Sequence, residues 1–124
     1  MDYYIENNNK RCEIMKIREK YTCPLELAYD ILKGKWKMVI LYQIHWRGRA
    51  SLSELENDII GINQKMLLQH LKELMKFGFV DKFNYDGYPL RVEYFLTENR
   101  GKKVVKVLEM MQDIGKDILD EMEK

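Results

Sequence analysis

Apolar positions recur at three- and four-residue steps along most of this chain, the spacing that places side chains on one face of an α-helix. Pro24 suits the first position of a helix, and Gly34 suits the end of that helix. The next apolar stripe predicts a second helix over residues 35–46, which ends at the glycine-containing segment 47–49. This part of the chain is therefore predicted to be helical, followed by a very short strand over residues 50–52.

A short helix, a tight turn and a longer helix are predicted in the middle of the chain. Ser53 has a glutamate three residues later, the pattern of a capping box, and is predicted to begin a helix over residues 54–59. Gly61 lies in a tight turn, and Asn63 is a suitable N-cap for a helix over residues 64–77. We expect this order of elements to form a helix-turn-helix unit.

Two segments of alternating apolar and polar residues follow, and they predict a β-hairpin. The strands cover residues 79–85 and 91–96, with a turn over residues 86–89. Thr97 is predicted to cap a final helix that ends near Met122. A hairpin directly after a helix-turn-helix unit is the arrangement of a winged helix, so we predict a mainly α (α+β) fold of this type.

The net charge of +1 conceals an uneven distribution of charge along the 124 residues. Residues 33–106 have a net charge of +6, whereas residues 1–32 have −1 and residues 107–124 have −4. Within residues 33–49 there are five cations and no acidic residue. A polyanion would be attracted to this central part of the chain, although lysines also commonly do no more than solvate helix surfaces.

The sequence disfavours several other classes of protein. The longest apolar block, residues 38–42, is far shorter than the roughly 20 residues of a membrane span. The first residues lack the basic and apolar regions of a secretory signal. Two cysteines, Cys12 and Cys23, cannot form a disulfide framework. We therefore expect a single cytoplasmic domain with no membrane association.

The second helix of a helix-turn-helix unit enters the major groove of DNA, with its N-terminal residues closest to the bases. Asn and Gln side chains can bind adenine, Lys can bind guanine, and cations and hydroxyl groups can bind phosphate. The predicted DNA contacts are Lys35, Lys37, Ser51, Ser53, Asn63, Gln64, Lys65, Met66, Gln69, His70, Lys72 and Arg91. The alternatives are an ordinary solvated helix face, capping alone for Ser53, and an ion pair with Glu93 or with an acid elsewhere in the chain for Arg91.

Cys23 is the one candidate for reactive chemistry, because a helix N-terminus stabilises a thiolate. The competing interpretation is an inert cysteine that only packs. His45 and His70 are far apart in the sequence and have no cysteine or acidic cluster around them, so no metal site is predicted. We expect no cofactor and no enzymatic activity; a thiol enzyme with catalytic partners distant in sequence is the disfavoured alternative.

Apolar residues on the last helix recur over a greater length than one small domain needs. The first two turns suit packing on the subunit's own core, and the far end suits the same helix of a second subunit. The predicted dimer contacts on this helix are Leu108, Met111, Ile114, Ile118 and Met122. The alternative is that the whole stripe packs on its own core.

Several blocks of this chain, in this order and at this spacing, resemble the HxlR-type transcription regulators: residues 23–26, 33–36, 53–55, 61–67, 71–74 and 89–97. The resemblance spans about residues 23–115. It implies a homodimeric winged-helix regulator that binds a double-stranded DNA operator of two half-sites. It also implies dimer contacts from the N-terminal segment, for which Ile14, Ile17 and Tyr21 are the candidates, and a cysteine at position 23 that senses oxidants or electrophiles in some relatives.

Four positions depart from the family pattern. Lys33 and Asn63 stand where the family often has glycine and serine, and Leu68 and His70 stand where it often has small polar or basic residues. Because the last two lie on the predicted reading helix, the operator of a relative cannot be assigned to this chain.

We interpret the sequence as a homodimeric, DNA-binding transcriptional regulator, with repression the expected mode of action. Residues 1–22 are predicted to form an N-terminal dimerisation arm, residues 23–100 the DNA-binding domain, and residues 101–124 a C-terminal dimerisation helix. A redox signal or a small molecule is the expected effector. The alternative is a protein-interaction module that has the winged-helix scaffold but does not bind DNA.

Overall fold

The computed structural model describes residues 3–4, 20–87 and 91–124 of the chain. In chain order the elements of these residues are β1 (Tyr3–Tyr4), β2 (Lys20–Tyr21), α1 (Pro24–Leu32), α2 (Lys37–Arg47), β3 (Arg49–Ala50), α3 (Leu52–Asp58), α4 (Gln64–Lys76), β4 (Val80–Tyr85), β5 (Arg91–Leu96) and α5 (Arg100–Met122). The predicted winged helix-turn-helix fold is confirmed. Cys12, Ile14, Ile17 and the last residues of the predicted hairpin turn lie outside the described residues.

The wing is a three-stranded antiparallel sheet in the order β3-β5-β4. β4 and β5 pair along their full lengths, from Val80 opposite Leu96 to Tyr85 opposite Arg91. β3 adds two residues at the other edge of β5, where Ala50 lies opposite Tyr94. The sheet therefore joins the start of the helix-turn-helix unit to the hairpin that follows it. β1 and β2 form a separate two-stranded pair.

The hydrophobic core lies between the helices and the inner face of the wing. α2 contributes three side chains that are completely buried, Ile40, Leu41 and Ile44. α4 contributes its own completely buried stripe, Leu67, Leu71 and Leu74. The three leucines of α4 are three or four residues apart, and Ile44 follows Leu41 by three and Ile40 by four, so each helix keeps one apolar face inward. This packing determines which side of α4 is available for a partner.

The capping box of the short helix α3 is formed by Ser51 and Glu54, and the prediction of Ser53 as its N-cap was wrong. The Glu54 backbone N–H donates to Ser51 Oγ at 3.2 Å, and the Ser51 N–H donates to Glu54 Oε1 at 2.9 Å. β3 ends at Ala50, which is paired in the sheet and completely buried. The next residue, Ser51, is therefore the first that can begin the helix, two positions earlier than the sequence pattern predicts.

The start of α5 lies tightly against the beginning of the wing. Thr97 was predicted to cap this helix; its hydroxyl does accept from the Gly101 N–H at 2.9 Å, although the helix itself begins at Arg100. The same hydroxyl donates to the Gly78 carbonyl at 2.7 Å. A Cβ at Gly101 would lie 2.5 Å from the Phe79 carbonyl oxygen, so only glycine permits this approach. No helix of the described part of the chain is long and apolar enough to cross a membrane.

Candidate nucleic-acid interface

The turn between α3 and α4 fixes the residue at which α4 starts. α4 is the recognition helix, or reading helix, of the predicted helix-turn-helix unit. Gly61 has a φ of +90°, a left-handed conformation that glycine adopts without strain, and the neighbouring Ile62 is buried. Asn63 then has extended backbone, and its Oδ1 accepts from the Met66 N–H at 2.9 Å. The predicted cap and the first residue of the reading helix, Gln64, are therefore confirmed. In its present position the Asn63 side chain is used to hold the helix end.

The outward face of α4 is polar and unobstructed. Four predicted DNA-contacting side chains on it are exposed and form no hydrogen bond or ion pair with any described residue: Gln64, Lys65, Gln69 and Lys72. Lys65, Gln69 and Lys72 lie on the side of the helix away from the buried leucine stripe, and Gln64 is exposed at the N-terminal end of the helix. This face can therefore offer donors and acceptors to a partner without first breaking an internal contact.

Two other predicted contacts on α4 lie closer to the core. Met66 is half-buried and packs against the hydrophobic core. His70 is half-buried, and its Nδ1 is enclosed without a hydrogen-bond partner in the described part of the protein. Burial lowers the pKa of His70 below its ordinary value, the positive charge of Lys37 lowers it further, and the carboxylate of Glu73 opposes both effects. These effects favour the neutral imidazole of His70, which lies away from the most exposed part of the helix.

Lys37 is part of an ion pair between two helices. Its ammonium group contacts the carboxylate of Glu73 on α4, and its side chain is only 13% exposed. α2 begins at Lys37, with Trp36 as its N-cap residue, so Lys35 precedes the helix instead of opening it. The Lys35 ammonium lies 4.7 Å from the centre of the Trp36 ring. The structure thus engages both lysines in contacts within the subunit.

The remaining cations of residues 33–49 also have internal contacts. Arg47 donates to Asp58 at 2.9 Å through Nη2 and to Glu54 at 2.9 Å through Nη1, which ties the end of α2 to α3. The hydrogen bond from Arg47 lowers the pKa of Asp58 below its ordinary value. Arg49 lies 5.2 Å from the ring centres of both Phe83 and Phe95 on the outer face of the wing. Ion pairs therefore offset part of the positive charge of this segment, and Arg49 contacts aromatic rings instead of an acid.

Arg91 on the wing binds its neighbour Glu93, one of the two possibilities that the sequence left open. Arg91 Nη2 lies 2.8 Å from Glu93 Oε2, and the Tyr85 hydroxyl donates to Glu93 Oε1 at 2.6 Å. The hydrogen bond from Tyr85, and then that from Arg91, lower the pKa of Glu93. The Arg91 side chain remains 57% exposed, so it stays accessible while it is paired.

The predicted phosphate contacts at the start of α3 differ from each other. Ser51 is half-buried and its hydroxyl accepts the capping hydrogen bond. Ser53 is exposed, and its hydroxyl oxygen lies 3.3 Å from that of Ser51. Ser51 is therefore occupied in holding α3, and Ser53 is the more available of the two hydroxyl groups.

The apolar stripe on α5 divides into a buried part and an exposed part. Leu108, a predicted dimer contact, is 5% exposed and packs in the subunit's own core. Val104 and Val105 in the first turns of α5 are buried in the same core. Further along, large apolar side chains are 48% to 74% exposed, among them Met111, Ile114, Ile118 and Met122. Tyr21, a predicted dimer contact, is 2% exposed within the subunit. The distal half of α5 thus presents an apolar surface that residues 3–4, 20–87 and 91–124 of the subunit leave exposed.

Cys23 is half-buried and is the N-cap residue of α1, directly before Pro24. Its side chain makes no capping hydrogen bond. Within residues 3–4, 20–87 and 91–124, no group of three or more His, Cys, Asp and Glu side chains could hold a metal ion.

One feature of this surface was missed at the level of sequence, and another, Leu68, was placed on the predicted reading helix without a role. Glu73 is the partner of Lys37, and nothing in the local pattern connects residues on two different helices. Leu68 is 47% exposed on α4. Its position one residue after the buried Leu67 was a usable signal, because an apolar residue there falls outside the core-facing stripe.

A helix-turn-helix unit, a β-hairpin wing and an unobstructed polar face on the second helix define a winged helix-turn-helix DNA-binding protein. The sequence profile of the HxlR-like helix-turn-helix family matches residues 31–123. The chain belongs to this family and is a transcriptional regulator of the HxlR-like helix-turn-helix type.

Individual relatives agree with this assignment. The chain is 34% identical over 100 residues to the regulatory protein MalR of Fusobacterium mortiferum, covering 81% of this chain and 93% of MalR. It is 37% identical over 98 residues to an HTH-type transcriptional regulator of Methanothermobacter thermautotrophicus, covering 79% of this chain and 73% of that protein. The structure of the reduced redox regulator HypR superposes with a TM-score of 0.73 at 32% identity, covering 82% of this chain and 98% of HypR.

Proposed function

We propose that this chain binds an operator of two half-sites as a homodimer and represses the gene that the operator controls. The observation that carries this proposal is the exposed, unpaired set of amide and ammonium groups on α4. Gln64 and Lys65 occupy the first turn of the helix, which in this class of protein lies closest to the base edges. A glutamine amide matches adenine and a lysine matches guanine, so these two residues and Gln69 can select a sequence.

The exposed apolar surface of α5 supports the dimer. Burial of several methionine and isoleucine side chains that are about half exposed in one subunit favours association, at roughly 25 cal/mol per Å² of apolar surface removed from water. The same helix of a second copy offers the same surface, as a twofold interface requires. In such a dimer the two α4 helices can enter successive major grooves about 34–36 Å apart.

The experiment is a mobility-shift titration of the full chain on duplex DNA from the region upstream of its own gene, at two salt concentrations. We expect affinity to fall steeply with salt, because bound cations release counterions from the DNA. Gln64→Ala and Lys65→Ala should each weaken binding to the preferred site about tenfold or more. Lys106→Ala, which removes an exposed cation on α5, is the matched control and should bind as the parent does.

Two results would contradict the proposal. Binding of equal strength by the Gln64, Lys65 and Lys106 variants would show that α4 does not contact DNA. Absence of salt-dependent binding would favour a protein-interaction module instead. For the dimer, Ile114→Asp together with Ile118→Asp should yield a monomer in sedimentation, and a stable dimer of this double variant would place the interface elsewhere.

We propose Cys23 as the residue through which oxidants or electrophiles release the operator. Its support is its half-buried place as the N-cap residue of α1 and the similarity to a protein named redox regulator HypR. Operator affinity should fall when the dimer is treated with the thiol oxidant diamide. Cys23→Ser should abolish the response and Cys12→Ser tests the other thiol; an unchanged response in Cys23→Ser excludes the role of Cys23.

A further inference from the structure

Leu68 lies on α4 among exposed polar residues and is not part of the buried core. Nearly half of its side chain, 47%, is exposed. The core-facing stripe of the helix is supplied by the three leucines 67, 71 and 74, which are completely buried. A helix turns about 100° per residue, so Leu68 lies well outside that stripe. Leu68 is also separate from the apolar surface assigned to the dimer, because that surface lies on the distal half of α5.

The neighbours of Leu68 are the residues assigned to base recognition. Side chains three and four residues apart are adjacent on a helix, so Leu68 lies beside Gln64 and Lys65 on one side and Lys72 on the other. All three of these neighbours are exposed and unpaired among the described residues. A branched apolar side chain therefore lies within an otherwise polar reading surface, one helical turn after the first residue of α4.

The major groove has one apolar feature on its base edges, the C5-methyl group of thymine. Contact with that methyl group adds little binding free energy for a polar side chain. For an exposed leucine the contact is favourable, because it removes apolar surface of both groups from water. A leucine also has no hydrogen-bonding group to offer to a donor or acceptor on the other bases. The thymine methyl group is consequently the favourable partner for Leu68 among the base edges of the major groove.

We propose that Leu68 determines specificity by contacting the methyl group of a thymine in each half-site. This inference rests on the proposed function, since it requires that α4 enter the major groove. Transfer of one methyl-sized group from water is worth about a threefold to tenfold change in affinity at each half-site. Leu68 thus allows the protein to recognise a thymine through its methyl group, which the amide and ammonium groups of the same face do not recognise.

The test uses the full-length protein and a duplex selected by it from a random library. Each thymine of the selected site is replaced in turn by uracil, which lacks only the C5-methyl group. For the parent protein we expect one thymine in each half-site at which the replacement weakens binding about threefold to tenfold. For Leu68→Ala the same replacement should have no effect, because the contact is already lost. Leu25→Ala, which truncates an exposed leucine on α1, should respond to uracil as the parent does.

The outcomes separate this inference from the proposed function. If the protein selects no duplex and shows no salt-dependent binding, the proposed function and the role of Leu68 both fail. If it binds DNA but every uracil replacement affects the parent and Leu68→Ala equally, only the role of Leu68 is overturned. A selected half-site without thymine would overturn it as well. Retained helicity of Leu68→Ala by circular dichroism ensures that the comparison is made on folded protein.

Discussion

The ammonium group of Lys37, at the first residue of α2, forms an ion pair with the carboxylate of Glu73 on α4. The Lys37 side chain is 13% exposed and that of Glu73 is 42% exposed, so the pair is partly shielded from solvent. Such a pair is stronger than a fully solvated one, although part of its attraction is offset by desolvation. It connects the reading helix to a helix of the core, and it involves a lysine whose sequence position suggests a phosphate contact.

Loss of this ion pair should affect stability more than DNA binding. Glu73→Gln leaves the Lys37 charge without its partner, and we expect the free energy of unfolding to fall by about 1 to 2 kcal/mol. Urea denaturation measures this change. Lys72→Gln on the exposed face is the control and should change stability by less than about 0.5 kcal/mol. If Lys37→Gln instead preserves stability and reduces the salt dependence of DNA binding, Lys37 contacts phosphate in the complex.

Ser51 and Ser53 should differ sharply when each is replaced by alanine. Ser51→Ala removes the side-chain acceptor for the Glu54 N–H, and loss of such a cap costs about 0.5 to 2 kcal/mol. Ser53→Ala removes no capping bond, so its effect on the thermal unfolding midpoint should be small. Equal losses for the two variants would argue against Ser51 as the N-cap.

Two glycines of α5 should respond in opposite directions to alanine. At Gly101 the new methyl group would lie 2.5 Å from the Phe79 carbonyl oxygen and 2.9 Å from Leu96 Cβ, so α5 must shift and we expect a loss of about 1 to 3 kcal/mol. At Gly115 the new methyl group would meet no described atom within 4 Å beyond the adjacent backbone of the helix itself. Alanine there should stabilise the helix by up to about 1 kcal/mol. Chemical denaturation of both variants checks the pair, and a neutral Gly101→Ala would refute the close approach.

His70 should make the fold sensitive to mild acid. Its pKa in the folded protein is lower than its ordinary value of 6.5, chiefly because burial disfavours the charged form. Between these two values the unfolded chain binds more protons than the folded one, so stability falls as pH decreases below about 6.5. The paired carboxylates with lowered pKa values, such as Asp58, lose their contribution only at more acidic pH.

Comparison of the parent protein with His70→Gln isolates this effect. The variant has no group that titrates at this position, so the decrease in its free energy of unfolding between pH 7 and pH 5.5 should be smaller than that of the parent. Equilibrium denaturation at several pH values measures the difference. Parallel pH profiles of the two proteins would show that His70 binds a proton equally well in the folded and unfolded states.

The reading helix could be located from the sequence because its signals are local. Asn63 caps the helix through a contact three residues away, and the leucines at 67, 71 and 74 show by their spacing which face is buried. The inward stripe determines the outward face as well, so the spacing alone assigns Lys65 to that face, and Gln64 follows from its place in the first turn of the helix.

Other features depend on residues that meet only after folding. Ser51 and Ser53 are both plausible N-caps in the sequence. The pairing of β3 with β5 ends at Ala50, and the N-cap of α3 is therefore Ser51. Part of the positive charge of residues 33–49 is paired with acids on other helices, such as Glu73 for Lys37.

Local pattern therefore determined the elements of this protein, their order and the inward face of each helix, because propensity, capping and periodicity act over a few residues. Tertiary structure decided which charges are paired and which polar atoms are enclosed, such as His70 Nδ1. Those properties depend on the distance and solvent exposure of groups far apart in the chain, and neither quantity exists until the helices and the wing have packed together.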